Sequence, residues 1–338
     1  MSVYLLYGEE TYLLEARLKK IKKEFGELIQ GINYIPIDES NVGNLISDIE
    51  TPAFGYAQKL LIARNTGLFK KEKKTASKAK TTAKKTKIKT EEALPLTEKI
   101  ANYLAANAKE LQDEITLVFV EEEAEKNTLY QTIEKVGEVK EFALLKLPEL
   151  VTNLRKVAAA YEVNIDDNVA KYLVECCGTN MQDLMNEIRK LIEYVGKGGT
   201  IKKEDIDKLC IKQIQAVIFD LTDNLGKKDI PKALNILSGL VANKEPLQKI
   251  LVTLYNHFKK LYIVKIAESY HKDLATAMNL KPNQMFLTVK YKNQAKYFEE
   301  AELRKIIEEL IDLDANYKIG LIDLSIGLEA ILCRYCSK

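Results

Sequence analysis

The feature that most constrains the fold is an alternation confined to the first 143 residues. Short apolar runs there are separated by segments whose apolar residues recur at helical spacing. Residues 3–7 form a short apolar run closed by Gly8, the pattern of a buried strand. Leu13, Leu14, Ala16, Leu18, Ile21 and Phe25 then mark one face of a helix, with lysines between them. Residues 33–37, 60–63, 115–120 and 139–142 predict further strands, and 42–49 and 129–136 predict helices, the first broken by Pro52. Strands joined through helices pair in parallel, and a parallel sheet needs cover on both faces. The first region is therefore expected to be α/β.

From residue 144 the alternation stops and no strand is expected. Leu150, Leu154, Val157 and Ala158 mark one helix; Val169, Leu173 and Val174 a second; Leu184, Ile188, Leu191 and Ile192 a third, stopped by Gly196-Lys197-Gly198-Gly199. Residues 200–210 read as a short closing segment. Longer apolar stripes follow, among them Ile214 to Leu225, Leu247 to Tyr262 with Pro246 suited to its first turn, Leu303 to Ile311, and Leu324 to Leu332. The fold class is α/β plus all-α. Its parts are an α/β domain at 1–143, a small helical domain at 144–210 and a helical bundle at 211–338.

Charge is unevenly placed. Between Lys70 and Lys89 stand ten lysines and one acid, a local +9, whereas the rest of the chain carries 41 basic and 48 acidic groups, a net −7. A globally basic protein that coats nucleic acid is excluded, so any such contact is local. The tract mixes lysine with Thr, Ala and Ser and offers few apolar anchors, so residues 70–90 are expected to be a flexible insertion. Within it Lys84, Lys85 and Lys87 are the candidates for nucleic-acid contact. No uncharged apolar run approaches the roughly 18 residues of a membrane span. The opening lacks a basic leader, and the five cysteines do not form a disulfide framework. The expected compartment is the cytoplasm.

Most catalytic chemistry is missing. The linker Gly8-Glu9-Glu10-Thr11 stands where a phosphate loop would, yet it has one glycine, no lysine and two carboxylates that repel a triphosphate. His257 and His271 are the only histidines, and a solvated or capping role is expected for both. Cys333-Arg334-Tyr335-Cys336 has zinc-like spacing but no second ligand pair, so no metal site is expected. Asp166, Asp167, Asp312 and Asp314 fit solvated faces or caps better than acid–base work. No catalytic residue, nucleotide site or cofactor is assigned.

The order of several segments resembles the delta subunit of bacterial DNA polymerase III, the clamp-opening chain of the clamp loader. The opening Tyr4-Leu5-Leu6-Tyr7-Gly8-Glu9-Glu10-Thr11-Tyr12 looks like the start of that family. Thr51-Pro52-Ala53-Phe54 followed by Lys59-Leu60-Leu61-Ile62-Ala63-Arg64-Asn65 resembles its helix, Pro-x-Phe turn and third strand. Phe219-Asp220-Leu221-Thr222-Asp223 with Lys232-Ala233-Leu234, and Asp314-Ala315-Asn316-Tyr317-Lys318-Ile319-Gly320 with Leu328-Glu329, resemble parts of its C-terminal domain.

The resemblance implies an AAA+-like architecture that has lost nucleotide binding, with a small helical lid and a helical collar for oligomerisation. Three positions match that loss: the absent lysine at Gly8 to Thr11, Arg64-Asn65 where active relatives end a strand in acids, and Met181 near the place of a nucleotide-sensing arginine. It implies binding rather than catalysis, any nucleotidyl transfer belonging to the holoenzyme. The partners implied are the sliding clamp (the beta subunit), ATPase and delta-prime-like subunits, and primed DNA. The clamp-binding residues implied are Phe54, Ala53 and Pro52, with Ala53 a departure from the leucine common in relatives. A divergent AAA+ ATPase and a sequence-independent DNA-binding adaptor are the alternative readings.

Overall fold

The computed structural model describes residues 2–70, 94–110 and 114–336. The chain divides into two compact units, Met1–Leu144 and Leu145–Lys338. The expected helical stretches 144–210 and 211–338 fall in the second, apart from residue 144. Lys84, Lys85 and Lys87 lie outside the described residues.

In the first unit the order is β1 (Ser2–Tyr7), α1 (Thr11–Phe25), β2 (Tyr34–Ile37), a 3-10 turn into α2 (Leu45–Glu50), β3 (Lys59–Arg64), α3 (Leu96–Asn107), β4 (Ile115–Glu121), α4 (Thr128–Val136) and β5 (Glu138–Glu141). The five strands form one sheet in the order β2-β3-β4-β1-β5, every pairing parallel. Side chains on a strand alternate between faces, and β3 shows why this sheet needs two layers of helices. Leu61 and Ala63 pack with Leu117 and Phe119 against Leu45, Ile100, Leu104 and Ile133. Leu60 and Ile62 pack on the other face with Val118, against Leu14, Leu18 and Ile21 of α1. The expected α/β layering is present, and α3 is an addition. Its Ile100, Ala101 and Leu104 are buried at helical spacing after Pro95.

The second unit begins with α5 (Leu147–Ala160), β6 (Asn164–Ile165), α6 (Asp167–Cys177), α7 (Met181–Val195), β7 (Thr200–Ile201) and α8 (Lys203–Leu209). It continues with α9 (Ile214–Gly226), α10 (Ile230–Ala242), α11 (Leu247–Ser269), α12 (Leu274–Ala277), α13 (Leu287–Ala295), α14 (Glu300–Lys318) and α15 (Leu324–Cys336). The strand pair β6 and β7 corrects the expectation of no strand beyond residue 144. Each is two residues long, too short to show periodicity, and is held by burial of Ile165 and Ile201 and by Asn164 N–H donating to the Gly199 carbonyl at 2.9 Å. The bundle core gathers Ile218, Leu221, Leu254, Leu261, Ile306 and Leu328 from α9, α11, α14 and α15.

His257 is the second correction. It is not solvated: the ring is wholly buried in the bundle. Its Nε2 lies 2.8 Å from Gln294 Oε1, and its Nδ1 lies 3.3 Å from Gln215 Nε2. That arrangement suits a neutral ring that donates at Nε2 and accepts at Nδ1, since two donors would otherwise face each other. Gln294 Nε2 in turn donates to the Phe219 carbonyl at 2.9 Å and to Asp223 Oδ1 at 2.6 Å. Burial drives the His257 pKa down to about 3. The sequence pattern hid this because histidine on an apolar stripe is legible as core only when its polar partners are known.

Candidate functional site

The turn between α2 and β3 is built by three local choices. Thr51 ends α2, its Oγ1 donating to the Ser47 carbonyl at 2.7 Å. Pro52 follows and has no N–H to continue the helix. Tyr56 N–H then donates to the Ala53 carbonyl at 3.0 Å, closing a four-residue turn whose third member, Gly55, has φ +80°. That left-handed value is the mark of the turn type that takes glycine at this place. Phe54 therefore sits at the tip, and its side chain is 79% exposed. Phe54 does not pack down as core. Pro52 is exposed beside it and Ala53 half-buried.

Lys59 holds this turn from beneath. It is the first residue of β3 and only 3% exposed, a rare state for lysine. Its Nζ donates to the carbonyl of Thr51 at 2.8 Å and to that of Asp48. Both carbonyls belong to the C-terminal end of α2, where a cation also meets the negative end of the helix dipole. Burial lowers the Lys59 pKa, and Asp48 opposes that shift. The sequence pattern did not single out Lys59. Its one signal was a lysine opening an otherwise apolar strand.

At the C-terminal edge of the sheet, where open α/β folds bind ligands, the chain satisfies its own groups. Gly8 has φ +130°, and a Cβ placed there would lie 2.3 Å from the Phe142 carbonyl oxygen. Glu10 N–H donates to that same carbonyl at 2.9 Å. Glu10 is buried at the start of α1, and burial raises its pKa against the pull of the Tyr12 and Leu13 N–H groups. A carboxyl group thus occupies the helix terminus that would otherwise favour a phosphate. Arg64, at the end of β3, is paired with Glu15 through contacts of 2.7 and 3.0 Å. Glu121, at the end of β4, is buried and accepts from Thr66 N–H at 2.8 Å and Thr66 Oγ1 at 2.6 Å.

In the second unit Met181 is buried at the start of α7, and Asn180 caps that helix by accepting from Asp183 N–H at 3.1 Å. Asp166 and Asp167 lie at the start of α6, where Asp167 pairs with Arg155 at 2.8 Å.

Comparison with known proteins decides the family. The profile of "DNA polymerase III, delta subunit" matches residues 4–88, and that of "DNA polymerase III delta subunit, C-terminal domain" matches residues 215–335. The chain belongs to the DNA polymerase III delta subunit family. The DNA polymerase III subunit delta of Bacillus subtilis is 26% identical over 98% of this chain and 92% of its own length. The probable DNA polymerase III subunit delta of Aquifex aeolicus is 27% identical over 95% of this chain and 87% of its own. Among solved structures, the Bacillus subtilis DNA clamp loader delta protein superposes with a TM-score of 0.72 at 23% identity, covering 100% of this chain and 96% of that one. The α/β plus all-α fold expected from the sequence is thus shared with that clamp loader delta protein. Membership implies a role in DNA replication, as a delta subunit of DNA polymerase III. Among the described residues no helix is long and apolar enough to cross a membrane.

Proposed function

We propose that this chain binds the ring-shaped sliding clamp through Phe54, flanked by Pro52 and Ala53, and stabilises the ring in an open state without hydrolysing ATP itself. One observation carries the reading: an aromatic ring 79% exposed at the tip of a turn that is fastened from below by Lys59. An exposed phenylalanine on a fixed turn is suited to fill a pocket on a partner. Burying such a ring contributes about 1.5–3 kcal/mol, without an ordering cost for the turn. The internally satisfied groups from Gly8 to Glu10 and at Arg64 and Glu121 support a chain that takes its ATP dependence from partners.

In this reading residues 144–210 are the lid and 211–338 the collar that joins ATPase and delta-prime-like subunits. The lysines at 84, 85 and 87 meet the backbone of primed DNA without reading its sequence. The experiment is a pull-down of the organism's sliding clamp by the full-length chain, paired with a fluorescence distance measurement across one clamp interface. Nucleotide-free capture of the clamp with an increased interface distance supports the proposal. Capture of DNA but not of clamp favours the DNA-binding adaptor instead.

A further inference from the structure

Three side chains with metal-binding chemistry converge in the second unit, from segments far apart in sequence. Cys177 ends α6, Glu187 lies on α7, and Cys210 follows α8. The two Sγ atoms and a carboxylate oxygen of Glu187 all lie within 4.8 Å of one another. Two sulfurs bound about 2.3 Å from one tetrahedral ion are roughly 3.8 Å apart, so only a small contraction separates this arrangement from a coordination shell. Cys177 is buried and Cys210 half-buried.

The scaffold around them is preorganised. Gln213 N–H donates to the Cys176 carbonyl at 2.8 Å, tying the segment after Cys210 to the end of α6. Gly178 has φ +84°, and the Gln213 amide lies so close that a Cβ at 178 would sit 2.3 Å from Gln213 Oε1. Tyr172 donates to Asp207 Oδ1 at 2.7 Å, and Lys212 Nζ meets the same oxygen at 2.8 Å, fixing α8 against α6 on the other side of Cys210. A cavity of about 480 Å³, lined by Asp183, Asn186, Lys212 and Gln213 among others, opens beside Cys177 and Glu187 and gives room for a fourth ligand.

We propose that Cys177, Cys210 and Glu187 bind one tetrahedral divalent transition-metal ion, zinc foremost, with water as the fourth ligand. Two thiolates select zinc over magnesium or calcium, and the carboxylate completes a mixed sulfur–oxygen set. On binding, both thiols release their protons to solvent and the ion takes two S⁻ and one carboxylate; no electron moves. Without an ion the Cys210 thiol is held protonated by its hydrogen bond with Cys177, by burial and by the nearby Glu187 carboxylate. Glu187 Oε2 also meets Lys190 Nζ at 2.7 Å. The role is structural: the ion pins the connection between α8 and α9 onto the end of α6 and the middle of α7. It differs from the Cys333 and Cys336 spacing at the end of α15, which the sequence suggested and set aside.

The test uses the full-length chain purified anaerobically in reductant. Zinc content is measured by elemental analysis, cobalt(II) is titrated as a spectroscopic probe, and the melting temperature is read with zinc or with chelator. The expected result is one ion per chain, a near-ultraviolet thiolate-to-cobalt band, and a melting temperature raised by zinc. Cys210→Ser and Glu187→Gln then lose at least the roughly 10- to 100-fold in affinity that even outer partners of a metal site are worth. Cys210→Ser also loses the band and the zinc-dependent rise while melting near the metal-free wild type. No ion in the wild type, an unchanged band in Cys210→Ser, a band lost only in Cys333→Ser, or a Cys177–Cys210 disulfide in the fresh protein would each overturn the proposal.

Discussion

Lys59 Nζ donates to the Thr51 carbonyl 2.8 Å away, so a buried ammonium joins the start of β3 to the residue that ends α2. Phe54 stands on the loop between those two points. The position of its ring is therefore set by a cation that never reaches the surface.

Lys59→Met keeps the apolar stem but leaves the Thr51 and Asp48 carbonyls without their donor. Hydrogen bonds from a charged donor are worth about 1.5–3 kcal/mol, and that loss is expected in denaturant unfolding. Proteolysis between residues 52 and 57 should quicken at the same time. Unchanged stability and unchanged cleavage would show that water replaces the ammonium without consequence.

His257 predicts a pH dependence. Its folded pKa of about 3 lies below the unfolded value near 6.5, so below pH 6.5 the unfolded chain binds the extra proton. The contribution is complete above about pH 6.5 and is lost as the pH falls toward 3. Between pH 7 and pH 5 this one group removes about 2 kcal/mol. His257→Gln should flatten the slope of unfolding free energy against pH across that window. A slope identical to wild type would mean that the ring does not stay neutral in the fold.

The layering of the first unit was legible because short apolar runs at β3 and β4 and a period near 3.6 on α1 are local properties. The exposed turn at Phe54 was legible for a similar reason, as Pro52 and Gly55 shape it within a few residues, whereas its clamp-binding role came from the resemblance alone. Lys59 and His257 were not. Each is a polar side chain made tolerable by partners distant in sequence: Asp48 and Thr51 for the first, Gln215 and Gln294 for the second. The cluster of Cys177, Glu187 and Cys210 was hidden more deeply, since its ligands come from three segments with no recurring spacing. The helix α3 escaped notice beside the lysine tract, where charge dominates the local pattern.

The buried Glu10 and the Gly8 contact with Phe142 predict that ATP finds no site at the end of β1. Calorimetry should detect no binding tighter than about 1 mM and no turnover above a buffer blank. Gly8→Ala should fold poorly, because its methyl meets the Phe142 carbonyl at 2.3 Å. Measurable ATP affinity in the isolated wild type contradicts this account of the strand end.

Removing residues 71–90 takes out Lys84, Lys85 and Lys87 with the rest of the tract. If these lysines meet DNA phosphates, the slope of log affinity against log salt should fall by about 0.7–0.9 for each phosphate that is no longer neutralised. DNA affinity measured across a salt series gives the answer directly. An unchanged slope would remove the tract from the DNA interface.

The measurement that bears most directly on the central claim is the affinity of Phe54→Ala for the sliding clamp, read beside its melting temperature. A buried aromatic anchor at an interface contributes about 2–4 kcal/mol, equivalent to a roughly 30- to 1000-fold loss of affinity. With the side chain 79% exposed in the unbound chain, the melting temperature should hardly move. Weakened clamp binding at unchanged melting temperature is the predicted result. Full clamp affinity in the folded variant would contradict it and place the contact elsewhere on the chain.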